Sequence, residues 1–199
     1  MRIPQRYFDR PATDEELRTP DKANAVLRAG LNVALRDDDP DFPALVLGNY
    51  LLGGSASNRL TQRVREKDGL SYSVFSFFNA SPLDQAAGFI VGAIFAPQNK
   101  ARVEKAIEEE IARALKEGFT DAELEAGKKG LLESRRIARA QDRTLASRLA
   151  SYLFAGRSFA WDIEFEKRIA ALSAAEVRDA LRRHLDPLKL SVVKAGDFR

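Results

Sequence analysis

The sequence contains no cysteine and a single histidine, His184, among its 199 residues. Without cysteine the chain has no disulfide framework, no thiol nucleophile and no thiolate metal site. One histidine cannot build the usual zinc site of three or four ligands, and neither His-Glu-x-x-His nor its inverted form is present. The same count excludes a Ser-His-Asp triad unless His184 is a lone base. We interpret His184 as a surface histidine near a helix C-terminus.

Long apolar runs are also missing. No window approaches the roughly 18 apolar residues of a membrane span, and the first residues lack the apolar centre of a signal peptide. The charge is only +3, because 32 Lys and Arg residues oppose 29 Asp and Glu residues. This small net positive charge does not indicate a nucleic-acid partner. With 45% hydrophobic and 31% charged residues, the composition is that of a folded globular chain.

The order of predicted elements indicates the fold class. Residues 1–22 are polar and rich in proline, which predicts a linker or lead-in before a single domain at residues 23–199. Alternation predicts a strand over 25–35, and an apolar run predicts a buried helix over 42–52. The later predicted elements are a helix over 57–67, a hairpin of strands 72–80 and 88–95, helices over 97–118, 120–156 (broken near 140–142) and 173–184, and a strand over 188–195. This order predicts an α+β fold, with a mostly antiparallel sheet and helices packed on one face.

A small, flexible stretch precedes the second predicted helix. It contains Gly53, Gly54 and Ser55. Backbone N–H groups at a helix start can hold a carboxylate or a phosphate, but the stretch lacks the Gly-Lys-Ser/Thr ending of a nucleotide loop. The alternative is a connecting loop in which Ser55 or Ser57 caps the helix.

Basic residues cluster between Lys128 and Arg148, where seven basic and two acidic side chains give a local balance of +5. Arg135, Arg139 and Arg143 recur every four residues and so lie near one helix face. No interleaved aromatics or nucleic-acid module accompany them. A solvated or partner-facing helix side is therefore favoured over a polyanion-binding surface.

Arg65 and Tyr72 flank a tight Asp-Gly turn between a predicted helix and a predicted strand. The turn folds the two side chains toward the same end of the sheet. A guanidinium and a phenol are both hydrogen-bond donors, and two fixed donors beside a strand can hold a peptide carbonyl or a developing oxyanion. Because both residue types are common in such places, the spacing alone leaves a functional and a purely structural interpretation open.

Seven motifs follow one another in order over about residues 21–198. They are the runs 39–54, 57–60, 64–74, 96–99, 118–124, 140–143 and 194–198. Together they resemble the C-terminal domain of the pitrilysin/insulinase (inverzincin) zinc metallopeptidase family, which is similar to the domains of mitochondrial processing peptidase. The resemblance implies that this chain is one of several similar α+β domains. In the family these domains are arranged as two bowl-like halves around a closed chamber. One half holds zinc on His-x-x-Glu-His and a distal Glu, and this sequence is similar to the other half.

The resemblance also implies roles for particular residues. Arg65 and Tyr72 match a pair in the non-zinc half that reaches across to the zinc site and binds the substrate backbone. The zinc, expected in the partner and not in this chain, would polarise the scissile carbonyl and activate a water molecule, with a partner glutamate as base. Gly53, Gly54 and Ser55 resemble in position a longer glycine-rich loop that bears on substrate handling.

The partners implied by the resemblance are a peptide substrate and a zinc-bearing half, either the N-terminal part of the same protein or a separate subunit. No cofactor is expected in this chain, and alone it is expected to be inactive. The expected compartment is the periplasm or cytoplasm of a bacterium, with the periplasm slightly favoured. The alternative function is a catalytically silent domain that supports assembly.

Overall fold

The computed structural model describes residues 2–198 and contains one five-stranded sheet. Its strands are β1 (Asp14–Arg18), β2 (Ala25–Val33), β3 (Ser71–Ala80), β4 (Ala87–Phe95) and β5 (Ser191–Gly196). They lie side by side in the order β1-β5-β2-β4-β3. β1 runs parallel to β5, and every other neighbouring pair is antiparallel. The sheet is therefore mostly antiparallel, as predicted.

Six α-helices accompany the sheet. They are α1 (Phe42–Asn49), α2 (Lys100–Glu117), α3 (Asp121–Arg139), α4 (Asp142–Phe154), α5 (Ala160–Ala171) and α6 (Ala174–His184). Two π-helical segments (Tyr50–Gly54 and Thr61–Lys67) and two short 3-10 turns (Pro97–Asn99 and Pro187–Lys189) complete the set. The predicted capping boxes of Thr120 and Ser173 are both present, at the starts of α3 and α6. Within residues 2–198, none of the helices combines the length and the hydropathy that a membrane span requires.

The core lies between one face of the sheet and the helices. Along β2, Ala25, Leu27 and Ala29 are buried while Arg28 between them is exposed, which is the period of two expected of a strand with one covered face. On the opposite face the sheet exposes large apolar side chains such as Phe77. The α+β prediction, with helices packed on one face of the sheet, is confirmed.

Two elements were not predicted from the sequence. β1 lies inside the predicted lead-in; all five of its residues are exposed, so it pairs through its backbone and leaves no apolar pattern to detect. α5 was also missed, although Trp161, Phe165 and Ile169 repeat at four-residue intervals and Ile169 is fully buried. The predicted division at residue 22 stays a prediction, but the segment before it completes the edge of the sheet.

The residues ahead of β1 are held on the domain by polar contacts. Arg2 pairs with Asp84 in the β3–β4 connection, and the N–H of Gln5 donates to the same carboxylate at 3.0 Å. Further along, Asp9 pairs with Lys189 at 3.0 Å. The segment therefore lies along the end of the sheet as an extended arm.

Candidate functional site

Arg65 lies in the π-helical segment Thr61–Lys67. The segment ends where the N–H of Asp68 donates to the carbonyl of Arg63, five residues back, at 3.1 Å. Val64 anchors this turn because its side chain is fully buried, whereas Arg65 is exposed. Within residues 2–198 no hydrogen bond or ion pair engages the Arg65 guanidinium. Its donors are therefore free, on a type of helical irregularity that is frequent at functional sites.

Tyr72 occupies a β-bulge in β3. Ser71 pairs with Phe95 of β4 and Ser73 pairs with Ile94, so Tyr72 is an extra residue with no partner opposite it. Its side chain is 66% exposed. Among the described residues its hydroxyl makes no hydrogen bond. The bulge thus presents a free phenol near the start of the strand.

The bulge decides which way Tyr72 points. Val74, Ser76 and Phe78 are buried on the covered face, so regular alternation traced back along β3 would turn Tyr72 toward the helices. The extra residue shifts this phase by one position. As a result Ser71 is buried and Tyr72 faces solvent.

The side chain of Ser71 pins the bulge. Its hydroxyl lies 2.7 Å from the carbonyl oxygen of Ser73 and 2.8 Å from that of Ile94, and it can donate to either. The same oxygen accepts from the N–H of Ser73 at 3.2 Å. Because the ladder is interrupted here, Ser71 satisfies backbone groups that regular pairing would otherwise satisfy.

Gly53 has a structural explanation. A Cβ on this residue would lie 2.4 Å from the backbone nitrogen of Ser76, because the π-helical segment Tyr50–Gly54 packs directly against β3. No side chain fits in that contact. Gly54 is exposed and Ser55 is partly exposed. Among the three predicted substrate-binding residues, only Gly54 and Ser55 thus reach the surface.

Asn58, and not Ser55 or Ser57, caps the helix that carries Arg65. The Asn58 side-chain oxygen accepts from the N–H of Thr61 at 2.7 Å, and its amide nitrogen donates to the carbonyl of Ser55. The prediction of a serine cap was wrong. The Asn58 amide can accept from the N–H of Thr61 and donate to the carbonyl of Ser55 at the same time, which a serine hydroxyl in this place does not do. Its side chain is buried, which holds the start of this helix rigidly.

Arg59 ties the same helix to the start of α3. Its guanidinium makes two hydrogen bonds to the Glu123 carboxylate, at 2.6 and 2.7 Å, and lies 4.4 Å from the ring centroid of Phe119. The Arg59 side chain is only 7% exposed. The Arg59 hydrogen bond lowers the pKa of the Glu123 carboxyl to about 2. The pair therefore fixes the helix that presents Arg65.

This ion pair predicts a pH-dependent stability. The pKa of Glu123 lies near 4.5 when unfolded and about 2 when folded, so its contribution is complete above pH 4.5 and is lost as pH falls toward 2. We expect the pair to add about 1 to 2 kcal/mol to the free energy of unfolding at neutral pH, after discounting for partial exposure. Glu123→Gln keeps a capping side chain but removes the charge.

The check is the free energy of unfolding of the wild type and Glu123→Gln, measured by denaturant titration between pH 2 and 7. The difference between the two should shrink as pH falls through the window set by 4.5 and 2. Glu108→Gln is the control, because Glu108 is exposed and makes no ion pair within the described part of the chain. A difference between wild type and Glu123→Gln that does not change with pH would contradict the assignment.

His184 ends α6, as predicted, but it is partly buried against another helix start. Its Nε2 lies 2.9 Å from Asp41, just before α1, and Arg183 holds the same carboxylate at 2.7 and 2.8 Å. The Arg183 hydrogen bond is the main cause of a lowered pKa at Asp41. These contacts join the end of α6 to the start of α1.

Whether this chain can hold zinc depends on which described side chains bring metal-binding atoms close together. Among the described residues, the group with close ligand atoms is Asp39, Asp41 and His184, whose ligand atoms lie within 4.8 Å of one another. The Arg183 guanidinium already occupies the Asp41 carboxylate, and its positive charge opposes a second cation. The set does not fit a catalytic zinc, so no step is assigned to a metal on this chain.

The predicted solvated or partner-facing side of α3 is only partly correct, because Lys129 and Arg136 are exposed whereas Arg135 and Arg139 pair with carboxylates inside the protein. Arg135 donates to Asp162 at 2.5 Å and to Glu166 at 2.9 Å, and Arg139 also pairs with Glu166. Both carboxylates belong to α5, the helix that was not predicted from the sequence. Arg143 alone of the three predicted arginines is exposed and unpaired within residues 2–198.

The chain matches the sequence model of a known protein family. The model described as "Peptidase M16 inactive domain" matches residues 3–131, well over half of the chain. The chain belongs to this family. The predicted resemblance to the C-terminal, non-zinc domain of these zinc metallopeptidases is thereby confirmed.

Individual relatives agree with the M16 assignment. The chain is 27% identical over 171 residues to the "Non-peptidase homolog YmxG" of Helicobacter pylori, covering 83% of this chain and 38% of that protein. It is 40% identical over 84 residues to the "Uncharacterized zinc protease YmxG" of Bacillus subtilis, covering 42% of this chain and 20% of that protein. The chain thus spans less than half the length of these relatives.

A solved structure gives the same result for the fold. The peptidase M16 inactive domain from Pseudomonas fluorescens superposes with a TM-score of 0.84 and 27% identity, over 95% of this chain and 44% of that one. The present chain is therefore the inactive M16 domain of a zinc protease-like protein.

Proposed function

We propose that this M16 domain closes one side of a proteolytic chamber and binds peptide substrate beside a zinc ion held by another domain or subunit. Arg65 and Tyr72 are its substrate-binding residues. The observation that carries the proposal is their shared setting: each is a free donor on an irregular backbone, one on a π-helical turn and one at a β-bulge. Such irregularities are over-represented at functional sites.

The chemistry assigned to the pair is hydrogen-bond donation. The Arg65 guanidinium and the Tyr72 hydroxyl would donate to the carbonyl oxygen of the scissile peptide. As that oxygen gains negative charge, both hydrogen bonds strengthen, and the cationic Arg65 gains most. The zinc of the partner would supply Lewis-acid activation of the carbonyl and of water. The role of this chain is to hold the peptide and stabilise the charge in trans.

The glycine-rich stretch has a narrower proposed role. Gly53 is buried against β3, so it is not available to a substrate. At this stretch only Gly54 and Ser55 are therefore proposed to contact the substrate. Their side chains offer little specificity, so we assign them contact with the peptide backbone only.

The test of the proposed function separates the domain from its partner. The isolated chain should bind no zinc tightly and cleave no peptide, and cleavage should appear when the zinc-bearing half is added. Zinc content is measured by metal analysis and cleavage with a fluorogenic peptide library. One-to-one zinc binding together with proteolysis by the isolated chain would overturn the proposal.

A second function remains open because the Helicobacter pylori relative is named a non-peptidase homolog. On this alternative the domain supports assembly and touches no substrate. Substitution of Arg65 or Tyr72 would then be silent, while removal of the domain would abolish assembly. The compartment, periplasm or cytoplasm with the periplasm favoured, stays a prediction under either function.

A further inference from the structure

A cavity of about 490 Å³ lies against α4, away from Arg65 and Tyr72. Its lining residues are Arg135 of α3, and Arg143, Thr144, Ser147, Arg148, Ser151 and Tyr152 of α4. Each of these side chains carries at least one N–H or O–H donor, and no carboxylate is among them. The composition of the cavity therefore selects a ligand rich in hydrogen-bond acceptors.

The orientation of α4 differs from that of an ordinary amphipathic helix, because none of its apolar residues is buried. Five polar residues of α4 lie along one face of the helix, because they are neighbours in sequence or are three or four positions apart. They are Thr144, Ser147, Arg148, Ser151 and Tyr152. This polar face lines the cavity. The apolar residues Leu149, Leu153 and Phe154 are exposed instead, at 49%, 82% and 69%. Burial of apolar surface thus does not explain how α4 is oriented, because its partly buried side chains include Arg148 and Tyr152.

The donors of the cavity are only partly used within the protein. Asp162, behind the cavity wall, accepts from Arg135, from one nitrogen of Arg148 at 3.0 Å and from the Tyr152 hydroxyl at 2.5 Å. The second guanidinium nitrogen of Arg148 has no hydrogen bond within residues 2–198, and Arg143 has no partner there at all. Several N–H groups therefore remain for a ligand.

The local charge points to an anion. Three arginines line the cavity, Arg135, Arg143 and Arg148, and the Asp162 carboxylate pairs with two of them, while the neighbouring charges of Arg139 and Glu166 cancel each other. These side chains leave a balance of +2. Asp142, at the start of α4, does not line the cavity. A dianion would neutralise the site.

We propose that this cavity binds a tetrahedral oxyanion, either inorganic phosphate or a phosphate monoester. Arg143 and Arg148 supply guanidinium N–H groups, which match phosphate oxygens in pairs. Ser147, whose hydroxyl makes no hydrogen bond within the described residues, adds a neutral donor on the same face. The site is independent of the proposed peptide-binding pair, because the two share no residue.

The test is a calorimetric titration of the full chain with inorganic phosphate at low ionic strength and about pH 7.5, where phosphate is mostly dianionic. Arg143→Gln should weaken binding at least about fivefold, since it removes a charged donor. Arg136→Gln is the matched control: it removes the same charge from neighbouring α3, but Arg136 pairs with Glu133 outside the cavity. Its loss should stay below about twofold.

Two further measurements define the ligand and separate this site from the peptide-binding proposal. A phosphoserine peptide that binds more tightly than inorganic phosphate identifies a monoester, and equal or weaker binding identifies the free ion. Arg65→Ala should leave phosphate affinity unchanged, which separates this site from the peptide-binding proposal. The proposal is overturned if no saturable binding occurs, or if Arg143→Gln and Arg136→Gln weaken binding equally.

Discussion

Replacing Tyr72 by phenylalanine is expected to lower peptide turnover by about 10²- to 10³-fold in the assembled protease, because one donor to the developing oxyanion is lost. Arg65→Ala should fall in the same range. Since these donors act mainly in the transition state, the loss should appear in kcat more than in KM. The measurement is steady-state cleavage of a fluorogenic peptide by the variant chain with the zinc-bearing half supplied.

The structure provides a control for this experiment. Lys67→Ala removes a positive charge from the same π-helical segment, where Lys67 is exposed and makes no ion pair among residues 2–198. Turnover should stay close to wild type. Because Arg65 is unpaired and Tyr72 is 66% exposed, both variants should unfold within about 0.5 kcal/mol of wild type. Unchanged turnover in folded Arg65→Ala and Tyr72→Phe would favour the silent structural domain.

The second large effect concerns stability. Asp162→Asn is expected to lower the free energy of unfolding by about 3 kcal/mol, because it leaves the largely buried Arg148 without a counter-charge and leaves Arg135 with Glu166 alone. The Asp162 side chain is only 3% exposed, and those of Arg135 and Arg148 are 17% and 20% exposed. Burial, followed by the Asp162 hydrogen bond, raises the pKa of Tyr152 to about 12, so its hydroxyl remains a donor at neutral pH.

Thermal unfolding is the measurement, with an expected fall in Tm of about 6 to 12 °C for a chain of this size. Glu164→Gln serves as the comparison, because Glu164 lies on the same helix and forms an exposed pair with Lys167. It should change stability by no more than about 0.5 kcal/mol. Equal shifts in Tm for Asp162→Asn and Glu164→Gln would contradict the expected stabilisation by the ion pairs of Asp162 with Arg135 and Arg148.

Elements with a local signal could be predicted from the sequence. Alternation located β2, and the pairs Thr120 with Glu123 and Ser173 with Glu176 located the starts of α3 and α6. β1 could not be found this way, because it is held by backbone pairing with a strand more than 170 residues later and by ion pairs of Asp14 with Lys194 and of Glu16 with Lys100. The partners of Arg135 were equally hidden, since they lie on α5 and depend on tertiary packing.

The candidate site was predictable in residue type but not in geometry. The sequence and its family resemblance selected Arg65 and Tyr72, and the structure leaves both exposed and unpaired within its described part. The bulge at Tyr72 depends on the register between β3 and β4, which no local pattern reveals. The cavity beside α4 was missed for a related reason: a basic run alone does not show which donors remain unused after folding.

The strand order also constrains how the chain folds during synthesis. β5 lies between β1 and β2, yet it is the last of the five strands to leave the ribosome. Until then β1 has no neighbour and one edge of β2 remains open, while β2, β3 and β4 can already pair. Closing the sheet joins segments far apart in sequence, which makes this step slow relative to local helix formation. A nascent chain stopped before Ser191 would expose an edge ready to pair with other chains.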